Sequence, residues 1–418
     1  MRQSISDRPL AASAQRTHTA AIERGLLRSV ASVFSWVLAR FQRRAKSISF
    51  AALAFVGTAA SCLAQPTNTG EPILIGQSAG LTGGQAGYSK QVKIGIEAYL
   101  AQVNNNGGVS GRPVKLLSID DQGKKNLVAA NTKRLVETDK VFALIGYTSG
   151  AGVEASLEYI SDAKVPMLSP ATGNMGIRAS FNRYLFHTRA GYADEMKRVI
   201  SYLVLTGSRR IGIAYLGDVG PDNPKAMHAA LAANGVAAAA EVSLDRNASD
   251  FAPEIDTLVK ASPQAVLFIS NAKPLALIVS GARKRGFGGT LVTSSFAGMS
   301  VIDDLKDQAR GLIMIQVLPA YWRTHLRIVD DYQKHLTAFD PDAKPNYTSL
   351  EGYISARVLV EGLKRAGVNP TRERFVDALE SLRKLDLGGY EISFSDKDHN
   401  GSHFVDTGVV NASGKLVF

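Results

Sequence analysis

From Pro72 onward, short apolar runs alternate with segments whose apolar residues recur with the period of a helix. Most runs hold four to seven residues, as expected of strands that are buried on both faces. This alternation predicts an α/β fold, in which a parallel sheet with right-handed crossovers carries helices on both faces. The chain has 418 residues, a length that suits two domains of this kind.

The pattern assigns most of the chain to regular elements. The predicted strands are 73–76, 114–119, 141–145, 165–168, 211–215, 237–242, 265–269, 290–293 and 311–317. The first predicted helix begins near Ser89 and stops at Gly107, and similar helices are expected at 125–138, 152–163, 193–206, 224–234, 252–261 and 274–285. Two further helices, Tyr347–Ala366 and Thr371–Leu382, and a β-hairpin of Tyr390–Phe394 with His403–Val410 complete the prediction.

The opening of this region carries the most information. The strand Ile73–Gly76 runs into the glycine-rich loop Leu81–Tyr88, then into the first predicted helix and the sequence NNGGVSGRPVKLLSIDD. This stretch resembles the opening of a periplasmic solute-binding protein of the branched-chain amino-acid-binding (Leu/Ile/Val-binding, type 1) family, the soluble receptors of ABC importers. The resemblance extends over residues 72–418. Its best-matched segments are Gly146–Thr172, GYADEM at 191–196 and SLEGYISARVLVEGLKRAG at 349–367.

The resemblance implies two doubly wound parallel-sheet lobes joined by a three-segment hinge, the Venus-flytrap arrangement. Members of the family cross between their lobes three times. The matching positions here are 188–192, 317–320 and 384–388. Lobe 1 would then hold residues 72–188 plus 320–385, and lobe 2 would hold residues 189–319 plus 386–418.

Positive charge is concentrated at the N-terminus. Residues 1–64 hold nine basic and two acidic side chains, a net charge of +7, so only +4 of the formal +11 remains for the rest of the chain. Nucleic acid is therefore not expected as a partner. Arg43, Arg44 and Lys46 precede an apolar segment, which small residues follow up to Ala64, the layout of a secretory signal. We expect cleavage near Ala64 and a periplasmic protein.

Two alternatives concern this segment. An uncleaved membrane anchor is one, although the segment is shorter and less apolar than the roughly 20 residues that a span needs. A lipid anchor is the other, because Cys62, the only cysteine, follows residues that partly resemble a lipoprotein cleavage box. If the signal is removed, no cysteine remains for disulfides, thiol catalysis or thiolate metal sites.

The residues that could carry catalysis are not arranged for it. The seven histidines are scattered, and no serine lies in a G-x-S-x-G turn with an acid and a base downstream, so we do not expect an enzyme. Gly83, Gly84 and Gly87 precede a helix but do not form G-x-G-x-x-G, and no P-loop lysine follows them. We therefore expect no nucleotide and no other cofactor.

The sequence DKDHNG at 396–401 matches the first half of a calcium-binding loop. Its twelfth position is Thr407, where a calcium loop needs a bidentate glutamate, so we expect a polar turn. His399 and His403 have the spacing of one helical face but span this turn. No metal is expected here.

The candidate site comes from loops that follow buried strands, at 146–150 and 169–173. Hydroxyl groups and helix N-termini at two such turns suit one carboxylate, each charge–dipole contact contributing about 0.3–1 kcal/mol. The resemblance implies that these loops hold the main-chain carboxylate of the ligand and that the ring of Tyr88 lines the cleft. The loop residues concerned are Thr148, Ser149, Gly150, Ala171, Thr172 and Gly173. For their hydroxyls the alternative is N-capping without ligand contact.

Several positions depart from the family pattern. Gly150 and Gly173 replace hydroxyl residues, and aromatic residues are absent from the second-lobe loops that contain Asp218 and Asn271. The glutamate that would neutralise a ligand ammonium is replaced near Phe296, and Asp218 could substitute for it only if its loop turns inward.

These departures favour a small polar organic solute, an amide or an organic or aromatic acid more than a leucine-like amino acid. A buried ammonium without a carboxylate partner would be strongly disfavoured. Tyr192 and Phe296 are expected as apolar walls of the site, with packing in the hinge or core as their alternative.

The sequence therefore predicts the extracytoplasmic substrate-binding component of an ABC importer, a monomer that closes over its solute and delivers it to membrane permease subunits. Two alternatives remain. A ligand-sensing module for a membrane signalling protein would be favoured by a retained anchor. An enzyme on a similar scaffold would return its ligand chemically changed.

Overall fold

The computed structural model describes residues 70–418. The expected export signal, its cleavage position and Cys62 lie outside these residues. Within 70–418, no helix combines the length and the apolar character needed to cross a bilayer.

A five-stranded parallel sheet, in the order β2-β1-β3-β4-β5, forms the centre of the first lobe. Its strands are β1 Ile73–Ala79, β2 Val114–Asp120, β3 Ala143–Ile145, β4 Met167–Leu168 and β5 Leu185–Phe186. In the register, Ile75 of β1 pairs with Leu116 of β2 on one side and with Ala143 of β3 on the other. All three residues of β3 are buried, as its unbroken apolar run predicts.

Helices cover both faces of this sheet. One apolar layer contains Val128, Leu135 and Ile160 from the helices α2 to α4, and the other contains Ile96 and Leu359 from α1 and α11. The bounds are α1 Ala86–Asn105, α2 Lys125–Glu137, α3 Gly150–Glu154, α4 Leu157–Asp162, α10 Arg327–Phe339, α11 Tyr347–Ala366 and α12 Arg372–Glu380.

The helices α1 and α11 touch through their backbones. A Cβ atom on Gly95 of α1 would lie 1.9 Å from the carbonyl oxygen of Ser349, and one on Gly352 of α11 would lie 2.0 Å from that of Val92. Only glycine permits so close an approach. The side chain of Asn346 caps α11 by accepting a hydrogen bond of 3.0 Å from the N–H of Ser349.

A seven-stranded sheet, in the order β14-β13-β10-β9-β8-β6-β7, forms the centre of the second lobe. Its strands are β6 Ile211–Leu216, β7 Ala238–Leu244, β8 Ala265–Ile269, β9 Thr290–Thr293, β10 Ile313–Gln316, β13 Asp406–Val410 and β14 Leu416–Val417. The first five of these run parallel, whereas β13 and β14 add antiparallel at one edge. Its helices are α5 Tyr192–Leu205, α6 Asp222–Ala233, α7 Ala252–Ala261, α8 Ala272–Lys284 and α9 Ser300–Leu305.

The structure corrects several predicted elements. The expected hairpin is wrong, because β12 Glu391–Ile392 pairs with β11 Leu385–Asp386, while β13 pairs with β10 and β14. The single helix expected at 152–163 is divided into α3 and α4. The helices α9 and α10 and the strands β5, β11 and β14 are absent from the sequence prediction. The three strands have two residues each and therefore no period to detect.

Candidate functional site

Two loops of the first lobe lie side by side at the C-terminal edge of its sheet. Residues 146–150 follow β3 and residues 169–173 follow its neighbour β4, and both loops are buried. The N–H of Ala171 donates a hydrogen bond of 2.8 Å to the carbonyl of Tyr147, which joins the two loops directly. The two loops expected to hold a carboxylate are therefore adjacent.

The hydroxyl groups of these loops have partners within the first lobe. Ser149 Oγ accepts the N–H of Gly152 over 3.1 Å and so caps α3. Thr172 Oγ1 accepts the N–H of Asn174 over 3.2 Å, and Thr148 Oγ1 lies 2.8 Å from another hydroxyl in α1. A hydroxyl has one hydrogen and two lone pairs, so Ser149 and Thr172 can cap and still contact a ligand.

Gly150 and Gly173 have no room for a side chain. A Cβ atom on Gly150 would lie 2.6 Å from Nδ2 of Asn174, and one on Gly173 would lie 2.5 Å from Cδ1 of Tyr192. Real Cβ atoms do not make contacts this short, so Asn174 and Tyr192 occupy the space that the expected hydroxyl residues would take. Packing therefore accounts for both departures from the family pattern.

Tyr88, near the start of α1, faces these loops. Its hydroxyl lies 3.0 Å from the carbonyl oxygen of Ala171 and 3.2 Å from Oε2 of Glu351. Its ring meets the ring of Phe296, from the second-lobe loop after β9, edge-on with centroids 5.8 Å apart. Burial and the charge of Glu351 raise the pKa of Tyr88, so the phenol keeps its proton. Tyr88, Ala171 and Phe296 thus meet at one place.

Tyr192 is the first residue of α5 and is buried. Its N–H donates to the carbonyl of Gly173 over 2.8 Å, and its hydroxyl lies 3.5 Å from Thr172 Oγ1. Burial raises the pKa of Tyr192 to about 12. The ring therefore covers the second loop of the first lobe as a neutral wall.

A charged triad of Arg189, Glu195 and Glu351 is buried beside Tyr88. Arg189 Nη2 lies 3.0 Å from Oε1 of Glu195 in α5, and Arg189 Nη1 lies 3.1 Å from Oε1 of Glu351 in α11. The Arg189 side chain is 1% exposed. One guanidinium therefore bridges a helix of the second lobe and a helix of the first.

The loop after β9 joins the triad through Ser295. Its N–H donates to Oε2 of Glu195 over 2.9 Å, and its hydroxyl donates to Oε1 over 2.6 Å. Arg189 also contacts this hydroxyl. Burial raises the pKa of Glu195 despite the opposing charge of Arg189. Burial disfavours the charge on Arg189, but Glu351 and Glu195 outweigh that effect and raise its pKa.

The space between the lobes here is nearly closed. A cavity of about 10 Å³ is lined by Tyr88, Glu351 and Tyr347 from the first lobe and by Ser295 and Gln316 from the second. That volume corresponds to about one water molecule. In this arrangement of the lobes, the space holds no molecule larger than about one water.

A model of the family described as "Periplasmic binding protein" matches residues 72–415. The chain belongs to this family. Among curated relatives, the leucine-, isoleucine-, valine-, threonine- and alanine-binding protein of Pseudomonas aeruginosa is 24% identical over 342 residues, which cover 79% of this chain and 87% of that protein.

Solved structures of periplasmic binding proteins agree with the fold. A substrate-binding periplasmic protein from Ralstonia solanacearum superimposes with a TM-score of 0.78 at 30% identity and covers 82% of this chain and 99% of that one. A fatty acid ABC transporter substrate-binding protein from Thermomonospora curvata has a TM-score of 0.75 at 19% identity, with coverage of 84% and 92%. The chain therefore has the type 1 periplasmic binding protein fold.

Asp218 and Asn271, two second-lobe residues expected at the site, differ in their surroundings. The side chain of Asp218 is 49% exposed and pairs with Arg246. Its loop therefore does not turn a free carboxylate inward in this structure. Asn271 immediately precedes α8, and its buried Oδ1 has no partner among the described residues. It remains a candidate for ligand contact.

The two histidines near the DKDHNG turn are separated. His399 is buried and stacks on Phe186 with ring centroids 3.8 Å apart. His403 is exposed, with Nδ1 3.2 Å from Oδ1 of Asp194. They do not share a face on which both could bind one ion.

Sequence reasoning missed the charged triad. Glu195 lies in GYADEM and Glu351 in SLEGYI, two of the segments that best match the family, and Arg189 lies in the first expected crossing. The signal was therefore present: three charged residues in segments otherwise expected to be buried. Charges in such positions are almost always paired, and pairing them with each other would have located the cluster.

Proposed function

We propose that this protein is the extracytoplasmic substrate-binding component of an ABC importer. It would bind a small polar organic solute in the cleft between its lobes and deliver it to membrane permease subunits. The charged triad carries this proposal, because Arg189 connects Glu195 and Glu351 on opposite sides of a cleft next to Tyr88 and Phe296. The names of relatives, which include an amino-acid-binding protein of Pseudomonas aeruginosa, agree with it.

The proposed hinge consists of three crossings at 188–192, 317–320 and 384–388, with the lobes divided as the sequence predicts. Tyr390 supports this arrangement, since its hydroxyl lies 2.8 Å from the carbonyl of Thr188 and 3.3 Å from that of Val317. One phenol just after the third crossing thus contacts residues at the edges of the first and second. Rotation about so compact a region would open the cleft with little change inside either lobe.

The proposed ligand-contacting residues are the two first-lobe loops and the side chains that face them. They are Tyr88, Thr148, Ser149, Gly150, Ala171, Thr172, Gly173, Tyr192, Asn271 and Phe296. A solute would dock on one lobe and gain contacts with the other only on closure. Closure then depends on how much more tightly the solute binds the closed form than the open form.

A thermal-shift screen of the purified protein tests the proposal against amino acids, amides, urea, amines, dicarboxylates and aromatic acids. A solute at 100 times its Kd should stabilise the fold by about 2.7 kcal/mol, seen as a higher melting temperature. Tyr88→Ala and Thr172→Ala should abolish the shift. Thr257→Ala is a matched control, because its hydroxyl bonds a backbone carbonyl on the exposed helix α7.

Mass spectrometry of the released solute completes the test. An importer receptor returns its solute unchanged. A folded protein that binds nothing in the screen, or that converts its ligand, would count against the proposal.

A further inference from the structure

The small cavity between the lobes has one charged group on its wall. Among the described residues that line it, Glu351 is the only ionisable acid or base apart from the phenols of Tyr88 and Tyr347. Tyr347 and Glu351 are four residues apart in α11 and so project from the same face of that helix. The chemistry that a solute meets on entering is therefore set largely by one carboxylate.

Arg189 lies behind this carboxylate and has no donor left for a ligand. A guanidinium has five N–H groups. Nε contacts the carbonyl of Ala190 at 3.4 Å, and Nη1 contacts both Glu351 oxygens at 3.1 and 3.4 Å. Nη2 contacts Glu195 and Ser295. A solute anion would have to break this network to reach the positive charge.

The next guanidinium is also engaged elsewhere. Arg178 donates from Nη1 to Oδ1 of Asn400 over 2.5 Å and from Nη2 to the carbonyl of Arg189 over 3.1 Å. It does not line the cavity. No arginine or lysine among the described residues therefore faces the solute there.

Hydrogen-bond acceptors surround the Tyr88 hydroxyl on this wall. The single hydrogen of the Tyr88 hydroxyl is shared between the Ala171 carbonyl at 3.0 Å and Glu351 Oε2 at 3.2 Å, and both of these groups only accept. The hydroxyl of Tyr347, a residue 5% exposed, has no partner among the described residues. Lone pairs of Glu351, of the Ala171 carbonyl and of the Tyr347 hydroxyl would accept N–H groups of a ligand.

Aromatic rings complete the surroundings of the carboxylate. The rings of Tyr88 and Phe296 meet edge-on across the two lobes, and Tyr347 contributes a third ring. Faces of aromatic rings attract cations. A carboxylate beside the rings of Tyr88 and Tyr347 is suited to an ammonium group and unsuited to a second anion.

We propose that the cleft selects its solute by a protonated amine, with Glu351 as the charge partner and the Tyr347 hydroxyl and the rings of Tyr88 and Phe296 around it. This inference rests on the proposed binding function and replaces the organic acids that the sequence favoured. Because Arg189 is shared between Glu195 and Glu351, an ammonium would give Glu351 a second cationic partner, whereas an acid would meet it with a like charge. A carboxylate on the solute is not required.

Sets of solutes that share a carbon skeleton test this proposal on the full chain. One set is phenylalanine, phenethylamine and 3-phenylpropanoate; another is leucine, 3-methylbutylamine and 4-methylpentanoate. In the set that fits the cleft, isothermal titration calorimetry should detect the amine and the amino acid, with the amine at least as tight, and no binding of the acid.

Binding of the acid without the amine would overturn the inference and leave the binding function standing. An amino acid that binds while its amine does not would also overturn it, because a carboxylate would then be required. Silence from every member of both sets would count against the inference and the proposed function together.

Variants assign the effect to the residue. Glu351→Gln should weaken amine binding about tenfold to a hundredfold, as expected for loss of a charged hydrogen-bond partner. Glu361→Gln is the matched control, because Glu361 lies in the same helix, pairs with Arg365 and is partly exposed. Unchanged affinity in Glu351→Gln would overturn the proposal.

Tyr347→Phe keeps the test decisive if Glu351→Gln fails to fold. It removes only a hydroxyl that has no partner among the described residues, so stability should change little. Amine affinity should fall by roughly threefold to tenfold. An affinity equal to that of the parent protein would contradict the role given to this hydroxyl and, with Glu351 untestable, would overturn the assignment.

Discussion

Arg189 and Glu351 form a buried ion pair, with Nη1 and Oε1 3.1 Å apart, between the segment that precedes α5 and the first turns of α11. Arg189 also pairs with Glu195, so the three residues form a triad. Because all three side chains are almost wholly buried, the triad connects the two sides of the cleft at a point that water hardly reaches.

Replacing Arg189 with methionine should destabilise the fold by about 3–5 kcal/mol, because two buried carboxylates lose the one cation that forms an ion pair with them among the described residues. Urea denaturation measures this as a lower midpoint. The triple variant Arg189→Met, Glu195→Gln, Glu351→Gln should recover part of the loss, since it leaves no unpaired charge. Additive losses in the triple variant would show that the three residues do not act as a unit.

Gly95→Ala should lower stability by several kcal/mol or prevent folding, because the new methyl group would lie 1.9 Å from the carbonyl oxygen of Ser349. Gly87→Ala is a matched control in the same helix, where a Cβ atom meets nothing within 4 Å. That change should be neutral or stabilising by up to about 1 kcal/mol, from helix propensity alone. Equal melting temperatures for the two variants would contradict the backbone contact between α1 and α11.

Acid should destabilise the protein through two buried histidines. Burial, with the charges of Arg178 and His399, lowers the pKa of His187 well below its usual value, and burial also lowers that of His399. The unfolded chain therefore binds more protons than the native one below about pH 6.5, and stability falls as pH falls through that value.

The loss should approach about 1.4 kcal/mol per pH unit for each histidine. Urea midpoints between pH 7.5 and 5 measure it. His187→Gln should reduce the slope below pH 6.5 and leave the nearly flat region above pH 7 unchanged. A parent protein as stable at pH 5 as at pH 7.5 would refute the prediction.

Asp218→Asn should leave solute affinity within about twofold of the parent, because this carboxylate is half exposed and already paired with Arg246. Loss of a surface pair should change stability by less than about 1 kcal/mol. Calorimetry with whichever solute the screen identifies provides the measurement. A tenfold loss of affinity would instead restore Asp218 to the ligand site that the sequence suggested.

The chain pattern was sufficient for the α/β class, because unbroken apolar runs such as β3 and β8 mark strands buried on both faces. The division into two lobes followed from the family resemblance. The pattern did not predict which strands pair with each other near the C-terminus. Nothing in the period of residues 390–410 indicates that β13 pairs with β10 of the second sheet instead of with β12, the strand that precedes it.

The site was predictable only in part, for a similar reason. The loops 146–150 and 169–173 can be identified in the sequence, because hydroxyl residues and glycines directly follow predicted strands there. The structure places the two loops together. Arg189, Glu195 and Glu351 are up to 162 residues apart, so their meeting depends on how the two lobes face each other. The composition of the chain and the spacing of its residues do not reveal a contact between residues so far apart in sequence.

The backbone contact between α1 and α11 bears on how new specificities can arise. These two helices carry Tyr88 and Glu351, and neither helix can shift without breaking the contact at Gly95 and Gly352. The wall of the cleft that α1 and α11 form is therefore rigid. An engineer who seeks a different cargo should diversify the opposite wall around Phe296 and keep Ser295, whose N–H and hydroxyl bond Glu195 of the triad.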